Sequence, residues 1–133
     1  MIPKFRVWDK NNKKMLNWKE LDLTKELGED EITIFEPTGQ FAHPIFFYDA
    51  MQSTGLKDKN GTEIYEGDIV EFKYPYDKRI KTKGVIVWND NKACFGISMK
   101  ETTEQYELYR ITAENYLSVI GNVHQNPELL EDN

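Results

Sequence analysis

The densest set of chemically versatile side chains lies in "TGLKDKNGTEIYEGDIVEF", which runs from Thr54 to Phe72. Carboxylate and amide oxygens are the ligands that calcium prefers, and glycine permits the sharp turn of a calcium loop. Positions 58–68 include four carboxylates, an amide and, at a possible turn position, a glycine, namely Asp58, Asn60, Gly61, Glu63, Glu66 and Asp68; Gly67 is a second glycine. The stretch therefore has to be tested as a cation site.

The EF-hand pattern does not fit this stretch. That loop needs an oxygen ligand at its first position, glycine at its sixth and glutamate at its twelfth. With Gly61 sixth, the first position falls on Leu56, and with Asp58 first, the twelfth falls on Ile69. Neither Leu56 nor Ile69 can ligate a cation, so we favour a turn between two strands.

The turn interpretation makes specific predictions. Asn60 and Gly61 both tolerate positive φ, as the two central residues of a type I′ hairpin turn require. Leu56 and Ile64 would then pair across this turn. In the "EGD" turn that follows, Gly67 would relieve backbone strain.

A second candidate is a basic segment between positions 73 and 83. Five cations stand there against one carboxylate, Asp77, which gives +4 in a chain of net charge −6. Phosphates attract cations and bases stack on aromatic rings, so basic loops with exposed aromatic residues are typical of nucleic-acid binding. The candidate binding surface comprises Lys73, Tyr74, Tyr76, Lys78, Arg79, Lys81, Lys83 and Trp88.

A solvated hairpin loop, with lysines that protect a sheet edge, explains the same basic segment. An N-terminal basic cluster comprises Lys4, Arg6, Lys10, Lys13 and Lys14. It could extend the binding surface, or it could be a solvated turn.

Metal-binding and nucleophilic chemistry find little support. His43 and His124 are 81 positions apart, and neither has the local spacing of a zinc site with Cys94. Cys94 lies in "KACFGI", which predicts a buried strand thiol. No serine–histidine–aspartate order and no glycine-rich phosphate loop is visible. We therefore expect no enzymatic activity, no metal and no cofactor.

The C-terminal quarter is acidic. Residues 101–133 carry a net charge of −6, with Arg110 opposed by Glu101, Glu104, Glu107, Glu114, Glu128, Glu131 and Asp132. A basic segment and an acidic end on one chain could pair between copies and close a ring. The acidic end could instead dock on another protein, or it could be scattered solvated charge.

Composition fits one domain of 133 residues, with 39% hydrophobic and 13% aromatic residues to build a core. An acidic isoelectric point near 5.0 argues against a general nucleic-acid coat. One cysteine suits a reducing cytoplasm. We expect no secretory signal and no membrane span, because no segment approaches about 20 apolar residues.

Periodicity predicts short strands through most of the chain. In the first half we expect an N-terminal hairpin of Lys4–Asp9 with Met15–Trp18, and strands at Ile32–Phe35 and Ile45–Met51. Residues 19–31 are ambiguous, with Gly28 as a possible helix cap. Residues 36–44, which include His43, are predicted to form a loop.

The second half gives stronger strand patterns, at Asp68–Tyr74, Gly84–Asn89, Ala93–Met99, Gln105–Ile111 and Tyr116–Val123. "NPELL" predicts a short C-terminal helix, with Asn126 as its N-cap and proline at its first position. We expect a mainly β fold with few short helices: an N-terminal β-hairpin region (1–55) and a small SH3-like barrel (56–133), within one domain of residues 1–133.

Four segments resemble the YopX family, small proteins of bacteriophages and prophages: "KFRVWDKNNKKML", "MQSTGLKDKNGTEIYEGDIV", "GVIVWNDNKACFGI" and "YLSVIGNVHQNPELLE". The stretch between Lys19 and Tyr48 is the least similar. The resemblance implies a β-rich, phage-encoded protein of the bacterial cytoplasm. It carries over no catalytic or binding residue.

The predicted function is a phage- or prophage-encoded accessory protein that binds a protein partner, either another protein or a second copy of itself, without catalysis. The alternative is a nucleic-acid-binding accessory protein that uses residues 73–83. A third possibility is an enzyme whose site the sequence does not reveal. A membrane partner is not expected.

Overall fold

The computed structural model describes residues 4–17, 22–24, 33–35, 42–44, 48–73, 81–100 and 105–131. Two compact units make up the chain, Ile2–Gln52 and Ser53–Asn133. Strand β6 (Tyr48–Lys57) contains the boundary between them. The fold is mainly β, as predicted. The SH3-like detail and the single-domain organisation stay predictions.

The N-terminal unit contains the predicted hairpin, β1 (Phe5–Asp9) and β2 (Lys14–Leu16). Val7 pairs with Leu16 of β2 on one side and with Ala50 of β6 on the other. Val7 and Leu16 are each 1% exposed, so this hairpin has an apolar anchor. The Asp9 carboxylate accepts backbone N–H groups from Asn11 and Asn12, which closes the polar turn.

Three further strands form a sheet in this unit: β3 (Asp22–Thr24), β4 (Thr33–Phe35) and β5 (Ala42–Pro44). The loop prediction for 36–44 is wrong at its end, since β5 includes His43. Proline is tolerated there because β5 lies at the edge of this sheet and Pro44 ends the strand. The possible cap at Gly28 and the predicted strand positions 45–47 lie outside the described residues.

The C-terminal unit contains β7 (Glu63–Tyr65), β8 (Asp68–Lys73), β9 (Lys81–Asn89), β10 (Cys94–Met99), β11 (Gln105–Glu107), α1 (Arg110–Tyr116) and β12 (Leu117–Asn122). The strand order β11–β10–β9–β8–β12 gives one antiparallel sheet that curls into a half-barrel. Its core is a cluster of Ile64, Val70, Ile86, Ile97, Ala113 and Leu117, each 3% exposed or less.

The acidic central stretch forms a loop between β6 and β7, as the turn interpretation predicts. The type I′ geometry is wrong: Gly61 has φ +84°, whereas Asn60 is not among the described residues with positive φ. The loop spans residues 58–62, and the strands pair through Lys57 and Glu63 rather than through Leu56 and Ile64. The next turn does use Gly67 at positive φ, +86°.

Asp58 organises this longer loop. Its side chain is 3% exposed, and Oδ1 accepts the N–H groups of Asn60 at 2.9 Å and Thr62 at 2.8 Å. Oδ2 accepts the N–H of Val119, in β12, at 2.8 Å. One carboxylate therefore closes the loop and fastens it to a strand sixty-one positions away.

The predicted strand Gln105–Ile111 is wrong beyond Glu107, because α1 begins at Arg110. A helix of seven residues with only Ala113 buried gives almost no periodic signal in the sequence. The described helices are also too short to cross a lipid bilayer.

The C-terminal helix is confirmed as a 3₁₀ helix, Pro127–Leu130, with proline in its first turn. Asn126 is the N-cap residue of this helix, as predicted, although its side chain makes no cap hydrogen bond. Its Oδ1 instead accepts the backbone N–H of Asn122 at 3.2 Å.

Candidate functional site

Strand register defines the inner face of the curled sheet. Ile86 of β9 pairs with Ile97 of β10, and both are in the core. Side chains two residues apart on a strand share a face, and directly paired residues share it as well. Tyr106, which pairs with Ile97, therefore belongs to the inner face of β11.

A cavity of about 660 Å³ lies on this inner face, and we call it the inner-face groove. Its sheet side is formed by Phe72, Thr82, Ile97 and Met99. Its other residues come from the β9–β10 turn, β11 and the start of α1: Lys92, Gln105, Tyr106, Glu107, Tyr109 and Thr112. An apolar cavity of this size with a few convergent polar groups is typical of a binding site.

Two of the large exposed apolar side chains lie at the groove. The four that the structure describes are Trp88, Tyr106, Tyr109 and Ile111, with 43%, 53%, 58% and 75% of their surface exposed. Tyr106 and Tyr109 line the groove itself. Trp88 packs edge-on against Phe95, with ring centroids 5.0 Å apart. Clustered exposed apolar residues mark interaction surfaces, whereas single ones are ordinary.

A polar cluster forms one side of the groove. The Tyr109 hydroxyl donates to Glu107 Oε2, and Lys92 Nζ lies 3.4 Å from Glu107 Oε1. The hydrogen bond from Tyr109, aided by Lys92, lowers the pKa of Glu107. The same bond, together with the charge of Glu107, raises the pKa of the Tyr109 phenol. Glu107 is therefore an ionised acceptor, and Tyr109 a protonated donor, at neutral pH.

Replacing Glu107 by glutamine should bring the pKa of Tyr109 back down towards the ordinary tyrosine value, because the ionised acceptor is lost. In the wild-type chain, the hydrogen bond from Tyr109 to Glu107 makes its full contribution to the stability of the fold at pH values below the ordinary tyrosine pKa. It is lost as pH rises through the raised folded value. An NMR titration of the Tyr109 ring checks this, with Glu114→Gln as the control; an unchanged Tyr109 titration in Glu107→Gln would contradict it.

The residues of the predicted basic binding surface lie on both faces of the sheet, because side chains alternate along a strand. Trp88 and Phe72 have inner-face parity, whereas Lys73 and Lys83 have the opposite parity. Lys83 Nζ donates to the carbonyl oxygen of Leu129 at 3.2 Å, so it holds the C-terminal 3₁₀ helix. Lys81 pairs with Lys73 across β8 and β9. The remaining members, Tyr74, Tyr76, Lys78 and Arg79, lie outside the described residues.

The other sequence candidates occupy separate places. Cys94 is half-buried at the first residue of β10, rather than fully buried. Lys10 of the N-terminal cluster forms an exposed ion pair with Asp49. Of the acidic C-terminal residues, Glu114 pairs with Arg110 along α1. Within the described part of the chain, no group of three or more potential ligands is placed to hold a metal ion.

Sequence reasoning missed Gln105, Tyr106, Glu107, Tyr109 and Thr112 as groove residues. The sequence pointed to the groove only through Tyr106 and Tyr109. These two tyrosines lie in the mainly polar segment "TTEQYELYR", where a packed core does not explain them. These tyrosines lie next to Phe72 and Met99 only because of the order of the strands in the sheet, and that order cannot be predicted from the local sequence.

Comparison with protein families matches the YopX protein family over residues 4–131. Among solved structures, the chain is similar to the crystal structure of protein EF1440 from Enterococcus faecalis. The two share 31% sequence identity, with a TM-score of 0.67, over 98% of this chain and 99% of that one. Comparison with curated proteins gives no significant match.

Proposed function

The chain belongs to the YopX family, and we propose that it works as a non-catalytic protein-interaction module whose binding site is the inner-face groove. The observation that carries the proposal is the concentration of exposed Tyr106 and Tyr109 beside an apolar floor that includes Ile97 and Met99. Exposed aromatic residues around an apolar centre are typical of protein interfaces, where tyrosine often provides the energetic anchors.

The charges of the groove favour a peptide over a nucleic acid. Lys92 and Glu107 are the charged residues among those that line it, and they form an ion pair with each other. Phosphate binding needs a local excess of lysine and arginine. A neutral, largely apolar groove instead suits a neutral segment of a protein partner.

The polar cluster supports a binding role without catalysis. Each oxygen of Glu107 already faces a donor from the chain, Tyr109 on one and Lys92 on the other. The raised pKa of Tyr109 keeps its hydroxyl protonated and hence a poor nucleophile or base. We therefore assign this cluster to ligand orientation and assign no chemical step to it.

The test begins with selection of peptides from a random library on the full chain, followed by affinity measurement for the best peptide. Tyr106→Lys should weaken binding more than about tenfold, because an interfacial tyrosine anchor is lost and a charge is placed beside the apolar floor. Thr62→Lys adds the same charge at an exposed loop residue that does not line the groove, and should bind as the wild type does. Equal affinity of Tyr106→Lys and the wild type would refute the proposed site.

Nucleic-acid binding remains a second candidate function because of Lys73 and Lys81. They stand at paired register positions of β8 and β9, at the two strand ends from which the basic segment 73–83 leaves the sheet, and phosphate binding needs a local excess of lysine and arginine. The same affinity assay therefore includes labelled single- and double-stranded DNA and RNA at several salt concentrations. Micromolar binding that falls steeply with salt, and is lost in the Lys78→Glu, Arg79→Glu, Lys81→Glu variant, would favour this candidate.

We place the module in the bacterial cytoplasm, encoded by a phage or prophage. The sequence resemblance to phage-encoded proteins supports the origin. The single cysteine supports a reducing compartment. Self-association through the groove is one form that the proposed protein interaction can take, and sedimentation of the wild type and Tyr106→Lys distinguishes it from binding to a different protein.

A further inference from the structure

We propose that the partner segment binds in an extended conformation, as a strand added to the outer edge of β11, with one of its side chains in the inner-face groove beside Tyr106. This inference rests on the proposed protein-binding function and adds the backbone conformation of the partner. It is carried by the position of β11 at the end of the five-stranded sheet and by the direction of its backbone groups.

The strand register determines which backbone groups of β11 point outwards. The N–H of Leu108 donates to the carbonyl oxygen of Phe95, in β10, at 3.0 Å, so these two residues form a hydrogen-bonded pair. Hydrogen-bonded and non-hydrogen-bonded pairs alternate along an antiparallel ladder. Tyr106, two positions before Leu108, therefore also directs its backbone groups to β10. The N–H and carbonyl groups of Gln105 and Glu107 point the other way, to the outer edge.

The two edges of the five-stranded sheet differ. At the β12 edge, the Leu117 carbonyl oxygen accepts the N–H of Lys59 at 3.0 Å, and the Val119 N–H donates to Asp58 Oδ2 at 2.8 Å. The loop of residues 58–62 therefore covers that edge. Among the described strands, β11 has a neighbour only on its β10 side. Uncovered backbone groups at a sheet edge are a template for a further strand, and β11 offers two donors and two acceptors.

The groove runs along the same edge of the sheet. All three residues of β11 line it, namely Gln105, Tyr106 and Glu107. Directly paired residues of neighbouring strands share a face, so a partner residue opposite Tyr106 would lie on the inner face. Ile97 and Met99 line the groove on that face as well. We therefore expect an apolar side chain at this position of the partner, and its two neighbours on the opposite face.

Two other occupants fit this edge less well. A helix bonds its own backbone groups internally, so it would leave the outward groups of β11 without partners. A second copy that paired only through β11 would contribute three residues, far fewer than the roughly 1,200 Å² of total buried surface in a stable dimer requires. A short extended segment bonds the outward groups and places a side chain in a pocket, which is how β-strand addition combines affinity with specificity.

The first test uses the best peptide of the library selection, methylated at one backbone nitrogen at a time. Only every second N–H of an added strand faces β11. Affinity should therefore fall about tenfold at alternate positions of the bound segment, because each methyl group there removes a hydrogen bond, and should change little at the positions between. Losses that do not alternate would overturn the inference.

Two variants test the other side of the pairing. Gln105→Pro removes the outward N–H, and proline is tolerated on an edge strand where the N–H faces away from the sheet. It should bind the selected peptide about tenfold more weakly than Gln105→Ala, which loses the same side-chain bond with Asn89 but keeps the N–H. Equal affinities would show that this N–H is not used and would overturn the inference.

Hydrogen exchange separates this effect from misfolding. Continued protection of the Leu108 amide in both variants shows that β11 still pairs with β10. If Gln105→Pro loses that protection, the methylation series alone decides the question, since it leaves the protein unchanged.

Failure of this inference can be told apart from failure of the proposed function. If the selected peptide loses affinity in Tyr106→Lys, but methylation has no alternating effect, the groove binds protein in a conformation other than a strand. If the selected peptide is indifferent to Tyr106→Lys, the groove is not the binding site and the proposed function fails with the inference.

Discussion

Replacing Asp58 by asparagine should destabilise the C-terminal unit by about 3 kcal/mol, because buried N–H donors without an acceptor cost about 1–3 kcal/mol each. Asparagine keeps one acceptor oxygen and replaces the other by an NH₂ donor. With its oxygen towards Asn60 and Thr62, the new donor faces the N–H of Val119. The loop then loses its side-chain bond to β12 and keeps only the backbone bond from the Lys59 N–H to the Leu117 carbonyl oxygen. Urea unfolding followed by tryptophan fluorescence measures the change.

Asp90→Asn is the matched control for this prediction. Asp90 is exposed in the turn between β9 and β10, and surface substitutions usually change stability by no more than about 0.5 kcal/mol. A similarly small effect for Asp58→Asn would mean that the N–H of Val119 finds another acceptor, such as water, at little cost. The carboxylate would then not be what organises the loop.

Ile86→Ala should destabilise the C-terminal unit by about 3 kcal/mol, within the range of large-to-small substitutions in well-packed cores. Ile86 is fully buried, pairs with Ile97 and lies in the middle strand of the five-stranded sheet. The backbone of the sheet is fixed by hydrogen bonds on both sides of β9, so we expect the cavity to collapse only in part. The same urea unfolding experiment gives the value.

Ile111→Ala removes the same atoms from a side chain that is 75% exposed and should change stability by less than about 0.5 kcal/mol. Because both variants change isoleucine to alanine, the difference between their stability losses measures the effect of burial alone. Equal losses at Ile86 and Ile111 would contradict the assignment of the core to the inner face of the sheet.

The strands of the hairpins were predictable because their signals are local. "GVIVWN" and "ACFGISM" combine β-branched or aromatic residues with a polar turn, and β9 and β10 form at those positions. "DKNG" correctly predicted a turn. Its type was wrong because the buried carboxylate of Asp58 accepts N–H groups within the loop and also from the distant Val119 of β12, which together stabilise a five-residue loop.

The groove was not predictable for the opposite reason. Its floor and its tyrosines come from β8, β10, β11 and the start of α1, which the order of strands in the sheet brings together. The basic segment stood out because charge density is visible along the chain. Because side chains alternate along a strand, Lys83 and Trp88 lie on opposite faces of the sheet. A count of charges along the sequence does not show this separation.

The most direct test of the central claim is an NMR footprint of the selected peptide on the full chain, with methyl labels on isoleucine, valine and methionine. We expect the largest shifts at Ile97 and Met99, which line the groove, and small shifts at Val85 and Val87, which have the opposite parity on β9. Shifts centred on Val85 and Val87 would place the partner on the other face of the sheet and contradict the groove as the binding site.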